Sequence, residues 1–113
     1  VPIAGKGFWA PIRGVVGIGP DLRTITGIAF YEQSETPGLG ARITEPFFRD
    51  PFEGTVLQTD GPPIEMVSPG SSLSEGQVHA ISGATQTCMR LEELMNEDLR
   101  AWTESMSDRE GQP

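Results

Sequence analysis

Between Ala84 and Met106 the chain contains neither glycine nor proline, although it carries 14 glycines and 10 prolines among 113 residues. These residues interrupt helices, glycine through its backbone freedom and proline through its fixed φ and missing N–H. Their absence leaves this one stretch free to form a long helix. Leu91, Leu94, Met95, Leu99 and Trp102 recur there at spacings of three and four, which places them on one stripe. Glu92, Glu93, Glu97, Asp98 and Arg100 fill the opposite face, read as hydrated. Much of the rest of the chain must be turns and loops.

Two β-rich runs, Ile12–Ile18 and Thr24–Tyr31, flank the turn signal Gly19-Pro20-Asp21 and predict an antiparallel hairpin. In the second run Thr24, Thr26, Ile28 and Phe30 alternate with Ile25, Gly27, Ala29 and Tyr31. Neither set is clearly polar, which predicts a central strand covered on both sides. A short helix is expected over 44–49, with Pro46 in its first turn. Further strands are expected at Thr55–Gln58, Ile64–Val67 and Gln77–Ile81, with a loop at Ser68–Ser72. The fold class is therefore α+β, a single domain with a twisted, mainly antiparallel sheet and the long C-terminal helix packed on it. Residues 1–113 suffice for one core and are too few for two ordinary domains. The core is expected over about 5–106, with 107–113 a polar, frayed tail.

Eight basic against 16 acidic residues give a net charge of −8. Such a field repels phosphate backbones and anionic lipid surfaces, so no nucleic-acid partner and no direct membrane contact by this segment are expected. No run approaches the roughly 20 apolar residues that span a bilayer. The single cysteine, Cys88, excludes an internal disulfide and any multi-cysteine metal or iron–sulfur site. His79, the only histidine, has no evident metal-binding companions, so no metal site is expected.

Chemistry concentrates where Ser82-Gly83-Ala84-Thr85 runs into the long helix. The first turn of a helix presents unpaired N–H groups and the positive end of its dipole. Small residues there let an anion, a phosphate above all, approach the backbone. Ser82, Thr85 and Thr87 add hydroxyls. The same Ser or Thr could instead simply cap the helix.

Ser82-Gly83-Ala84-Thr85-Gln86-Thr87, taken with Glu35-Thr36-Pro37-Gly38-Leu39-Gly40 and Gly5-Lys6-Gly7-Phe8-Trp9, resembles the FMN-binding domain family in motif content and order. That family includes the C subunit of the sodium-translocating NADH:quinone oxidoreductase and the G subunit of the Rnf electron-transport complex. The resemblance covers about 5–99. It implies FMN as cofactor, joined by a phosphoester to Thr85 by a separate flavin transferase that uses FAD and a divalent metal. It also implies Ser82, Gly83, Ala84 and Thr87 around the phosphate, and Glu35, Thr36, Gly38 and Leu39 against the flavin. Trp9 is a candidate to pack beside the ring, with a core position as its alternative.

No catalytic acid–base pair is expected, because the flavin carries the redox chemistry. The implied role is electron relay within a membrane redox complex, as a redox subunit rather than a stand-alone catalyst. The implied location is the outer face of the cytoplasmic membrane, reached through an anchor outside this chain. Two positions depart from the family pattern. His79 stands where an aspartate three residues before the serine is usual, and Cys88 where a serine is usual. The first departure leaves two alternatives: FMN held without a covalent bond, or a flavin-free sensory or interaction domain.

Overall fold

The computed structural model describes residues 1–110. Strands β1 (Pro2–Lys6), β2 (Pro11–Ile18) and β3 (Ile25–Glu32) form an antiparallel sheet in the order β1-β2-β3. Inward-facing Ile3, Ile12, Val16, Ile25 and Ile28 are buried, and they meet Leu91, Leu94, Met95 and Leu99 of α2 (Thr85–Glu110) in one apolar cluster. Trp102 packs half-buried at its edge. The predicted helical stripe is thus the face that closes the core. Contact between α2 and β1 is close enough that a Cβ on Gly5 would lie 2.6 Å from Leu94 Cβ.

The predicted hairpin forms, with Asp21 fixing its turn. Asp21 Oδ1 accepts from the N–H groups of Arg23 at 3.0 Å and Thr24 at 2.9 Å, and Oδ2 accepts from the Thr24 hydroxyl. These bonds, the Thr24 hydroxyl first among them, hold the Asp21 carboxyl at about 2, below its ordinary 3.8. The expectation of a central, doubly covered β3 is corrected. It is an edge strand of its sheet, and Thr26, Ala29 and Tyr31 are exposed. Gly17 pairs with Gly27 but Ile18 pairs with Ile25, so Thr26 is an extra residue on β3. That bulge reverses the alternation and lets Ile25 and Ile28, three positions apart, both face inward.

A 3₁₀ turn at Gly40–Thr44 leads into the short helix α1 (Pro46–Arg49), which begins with Pro46 as expected. Thr55–Gln58 is not a strand of its own. It contributes one bridge, Thr24 to Val56, with Leu57 N–H donating to Arg23 O at 2.8 Å. β4 (Glu65–Val67) and β5 (Gln77–His79) pair with each other in parallel, apart from the main sheet. Helix α2 continues through Glu110, past Met106 and into the stretch expected to fray. The rest of that tail, 111–113, lies outside the described residues.

The hydrated face of α2 needs a second correction. Glu92 accepts from Met66 N–H of β4 at 3.0 Å, and Asp98 accepts from Ala4 N–H of β1 at 2.8 Å. Asn96, buried between them, accepts from Ile64 N–H at 2.9 Å and donates to Ile64 O at 2.8 Å. The helix therefore supplies partners for backbone groups of β1, β4 and the residue before β4, of which those of Ile64 are buried and would otherwise be unpaired. Burial raises the Glu92 carboxyl above its ordinary value, partly offset by the Met66 N–H.

Candidate functional site

Two turns of the same kind bring the motifs together. In Thr36-Pro37-Gly38-Leu39 the Leu39 N–H donates to Thr36 O at 3.0 Å, and Gly38 has φ +77°. In Ile81-Ser82-Gly83-Ala84 the Ala84 N–H donates to Ile81 O at 3.1 Å, and Gly83 has φ +81°. Glycine third in the turn supplies the positive φ that a type II geometry requires. The turns abut: a Cβ on Gly83 would lie 3.5 Å from Leu39 Cδ2. Gly40 comes closer still to α2, where a Cβ would collide with the Thr87 hydroxyl and reach 3.0 Å from Thr87 Cβ.

The Gly83 turn delivers the chain into α2 with its first N–H groups free. Cys88 N–H bonds to Ala84 O at 3.0 Å. Among the described residues none accepts from the N–H groups of Thr85, Gln86 or Thr87. Ser82 and Thr85 are exposed, and neither hydroxyl caps the helix. A 26-residue helix thus opens on three unpaired donors beside two accessible hydroxyls and a glycine. This is the donor set that holds a phosphate monoester or diester.

Grooves open on both sides of Gly83. One, of about 270 Å³, is lined by Ser82, Gly83 and Thr85 together with Met66, Pro69, Met89 and Glu92. The other, of about 230 Å³, is lined by Phe8, Trp9, Thr36, Leu39, Gly40, Gly83 and Gln86. A third hollow of about 300 Å³ lies beyond Ser82, between Phe47 and His79. The walls combine apolar side chains such as Met66, Met89, Phe8 and Leu39 with hydroxyl, amide and carboxylate groups from Ser82, Thr85, Thr36, Gln86 and Glu92.

The sequence-predicted residues divide among these places. Ser82, Gly83, Ala84 and Thr85 form the helix entry, and Thr36, Leu39 and Trp9 stand across from it. Gly38 is exposed at the tip of its turn and lines neither groove. Trp9 is not a core residue: it is 65% exposed, with its indole N–H donating to the Thr36 hydroxyl at 3.1 Å and its ring edge-on to Phe8. Thr87 is buried, and its hydroxyl donates to Glu35 Oε1 at 2.8 Å. Its side chain therefore faces Glu35, and only its backbone N–H points out of the helix end.

Glu35 itself is 4% exposed, and its carboxylate also accepts from the N–H groups of Phe8 at 3.0 Å and Trp9 at 3.2 Å. Phe8, Gly40 and Gln86 lie within the motifs, but the sequence assigns them no site role of their own. The spacing of the motifs signals that they converge without showing which neighbours line the gap. At the departures, His79 Nε2 lies 2.7 Å from Ser71 O, tying β5 to the 68–72 loop. Cys88 is buried, its Sγ 3.4 Å from Ile81 N–H, and burial pushes the thiol up. Among the described residues no cluster of His, Cys, Asp or Glu could hold a metal ion.

The chain is similar in sequence and fold to known proteins. The C subunit of the Na(+)-translocating NADH-quinone reductase from Vibrio anguillarum is 41% identical over 90 residues, 77% of this chain and 35% of that protein. Its counterpart from Chlamydia pneumoniae is 34% identical, over 89% of this chain and 37% of its own length. The chain thus spans about a third of these curated relatives. The crystal structure of the corresponding C subunit from Parabacteroides distasonis superposes with a TM-score of 0.82 at 34% identity, over 90% of this chain and 53% of that one. Shewanella oneidensis NqrC gives 0.77 at 36%, over 85% and 46%. Residues 7–100 match the FMN-binding domain, and the chain belongs to that family.

Proposed function

We propose that this chain is an FMN-carrying electron-transfer domain whose flavin phosphate is bound at the N-terminus of α2 and esterified to Thr85. The observation that carries the reading is the trio of unpaired N–H groups at Thr85, Gln86 and Thr87 beside the exposed hydroxyls of Ser82 and Thr85. FMN, when bound, supplies the redox-active ring, while the protein binds, orients and tunes it. The first-turn amides of α2 would hold the phosphate. Gly83 gives it close approach, and Leu39, Trp9 and Thr36 offer a wall for the planar group.

In this reading a flavin transferase matures the domain with FAD as donor. Thr85 Oγ takes the flavin phosphate, AMP leaves, and the hydroxyl proton passes to solvent. The partners are other subunits of a redox complex, of the kind named for the NADH-quinone reductase relatives. The domain works on the outer face of the cytoplasmic membrane, held by an anchor outside these residues. Among the described residues no helix is long and apolar enough to cross a membrane.

His79 favours a second reading in which FMN stays non-covalent, because its ring engages Ser71 O where the family carries a carboxylate. The test is flavin fluorescence on a denaturing gel after coexpression with a flavin transferase. Wild-type protein is expected to fluoresce and Thr85→Ala to be dark. A dark wild type that His79→Asp makes fluorescent supports the second reading. A wild type that neither fluoresces nor binds free FMN overturns both.

A further inference from the structure

We infer that Glu35 is a positioning residue for flavin binding, acting through its carboxylate on Trp9 and on the first turn of α2; this rests on the FMN reading above. The three groups it holds come from two segments far apart in the chain, Phe8-Trp9 and the first turn of α2. Oε1 accepts from Phe8 N–H at 3.0 Å and from the Thr87 hydroxyl at 2.8 Å, and Oε2 accepts from Trp9 N–H at 3.2 Å. Both oxygens are thereby engaged, and the side chain is 4% exposed, so Glu35 offers a ligand nothing directly. Its effect is to set where other groups stand.

Trp9 depends on this carboxylate more than on packing. The residue is 65% exposed; Glu35 holds its backbone N–H, and its ring is steadied by the Thr36 hydroxyl and the edge of Phe8. Thr87 lies in the first turn of α2, so its bond to Glu35 fixes the rotation of the residues that carry the free N–H groups. Glu35 therefore sets the separation between the groove wall and the phosphate end. A carboxylate is required because all three partners donate. Glutamine has one accepting oxygen and one NH₂ group, which would face an N–H donor at Trp9.

The test compares Glu35→Gln, Thr87→Val and Thr87→Ser with the wild type. Amide exchange at Phe8 and Trp9 is read in flavin-free protein, and affinity for free FMN is read by flavin fluorescence. Glu35→Gln is expected to speed exchange at Trp9 about tenfold or more, since a hydrogen bond to a charged group is lost. It is expected to weaken FMN binding by a similar factor, while the amide of Val16 in β2 keeps its protection. Thr87→Val, which carries the test if Glu35→Gln does not fold, weakens FMN binding, and Thr87→Ser restores it. Unchanged FMN affinity in Glu35→Gln and Thr87→Val overturns the inference. Wild-type protein that takes FMN neither from solution nor on coexpression with a flavin transferase overturns the functional reading beneath it, and that result is distinct from unchanged variants of a protein that binds.

Discussion

Replacing Gly40 by alanine isolates the close approach that joins the 36–40 turn to α2. Gly40 is buried at the start of a 3₁₀ turn, and its φ is not positive. Alanine is therefore conformationally acceptable, and backbone entropy alone would favour it by up to about 1 kcal/mol. Sterics decide against it. The new Cβ collides with the Thr87 hydroxyl and comes to 2.9 Å from Glu35 Cβ and 3.0 Å from Thr87 Cβ. Two of these atoms adjoin backbone and cannot swing away, so turn and helix must part. Overpacking of this kind costs about 1–3 kcal/mol. Loss of the buried Thr87–Glu35 bond adds roughly 1–3 kcal/mol, so after the entropic offset the expected total is about 1–6 kcal/mol.

Gly38→Ala is the control. Its φ of +77° penalises any side chain, yet nothing lies within 4 Å of the added Cβ. Only the left-handed backbone cost of about 1–2 kcal/mol applies. Urea denaturation followed by circular dichroism should place the Gly40→Ala midpoint below that of Gly38→Ala, with equal m-values. A Gly38→Ala variant as unstable as Gly40→Ala, or less stable, would refute the packing argument.

Asn96→Ala removes both partners of Ile64 and leaves two buried backbone groups unpaired, a loss of roughly 2–6 kcal/mol on the same scale; urea unfolding checks it, and a change below about 1 kcal/mol would contradict it. Asp21 has a folded pKa of about 2 against an ordinary 3.8, so its contribution is complete above 3.8 and is lost as pH falls through about 2. Asp21→Asn should therefore flatten the loss of stability across that acid window in pH-dependent melting. Glu92 has the opposite sign: its raised carboxyl binds a proton more tightly in the fold, so ionisation above its unfolded value of 4.5 lowers stability. Glu92→Gln keeps an acceptor for Met66 N–H without the charge, and should leave the neutral-pH melting temperature equal or higher; a clear drop would show that the charge itself is needed.

Much of this fold can be read from residue order. The long helix follows from an uninterrupted run with its apolar stripe, and the hairpin from two β-branched segments around Gly19-Pro20-Asp21. The bulge at Thr26 does not show, because it is set by which residues of β3 must reach the core. The parallel pairing of β4 with β5 is equally silent, since each strand is three residues long and its partner lies across a loop. Glu92 and Asp98 look like ordinary wet-face residues, and only the folded chain brings Met66 and Ala4 N–H groups to them. Around the site, motif order reveals that the 35–40 and 82–87 segments belong together. It does not reveal that Glu35 turns inward, because its partners Phe8 and Trp9 lie 27 and 26 positions away.

The central claim is that the first-turn amides of α2 hold the flavin phosphate. It is tested most directly by nitrogen–proton NMR of the protein before and after loading with FMN. The amide protons of Thr85, Gln86 and Thr87 should move downfield and exchange more slowly, because each gains an anionic acceptor. Bound flavin that leaves these three resonances where they were, while shifting others, would contradict the account.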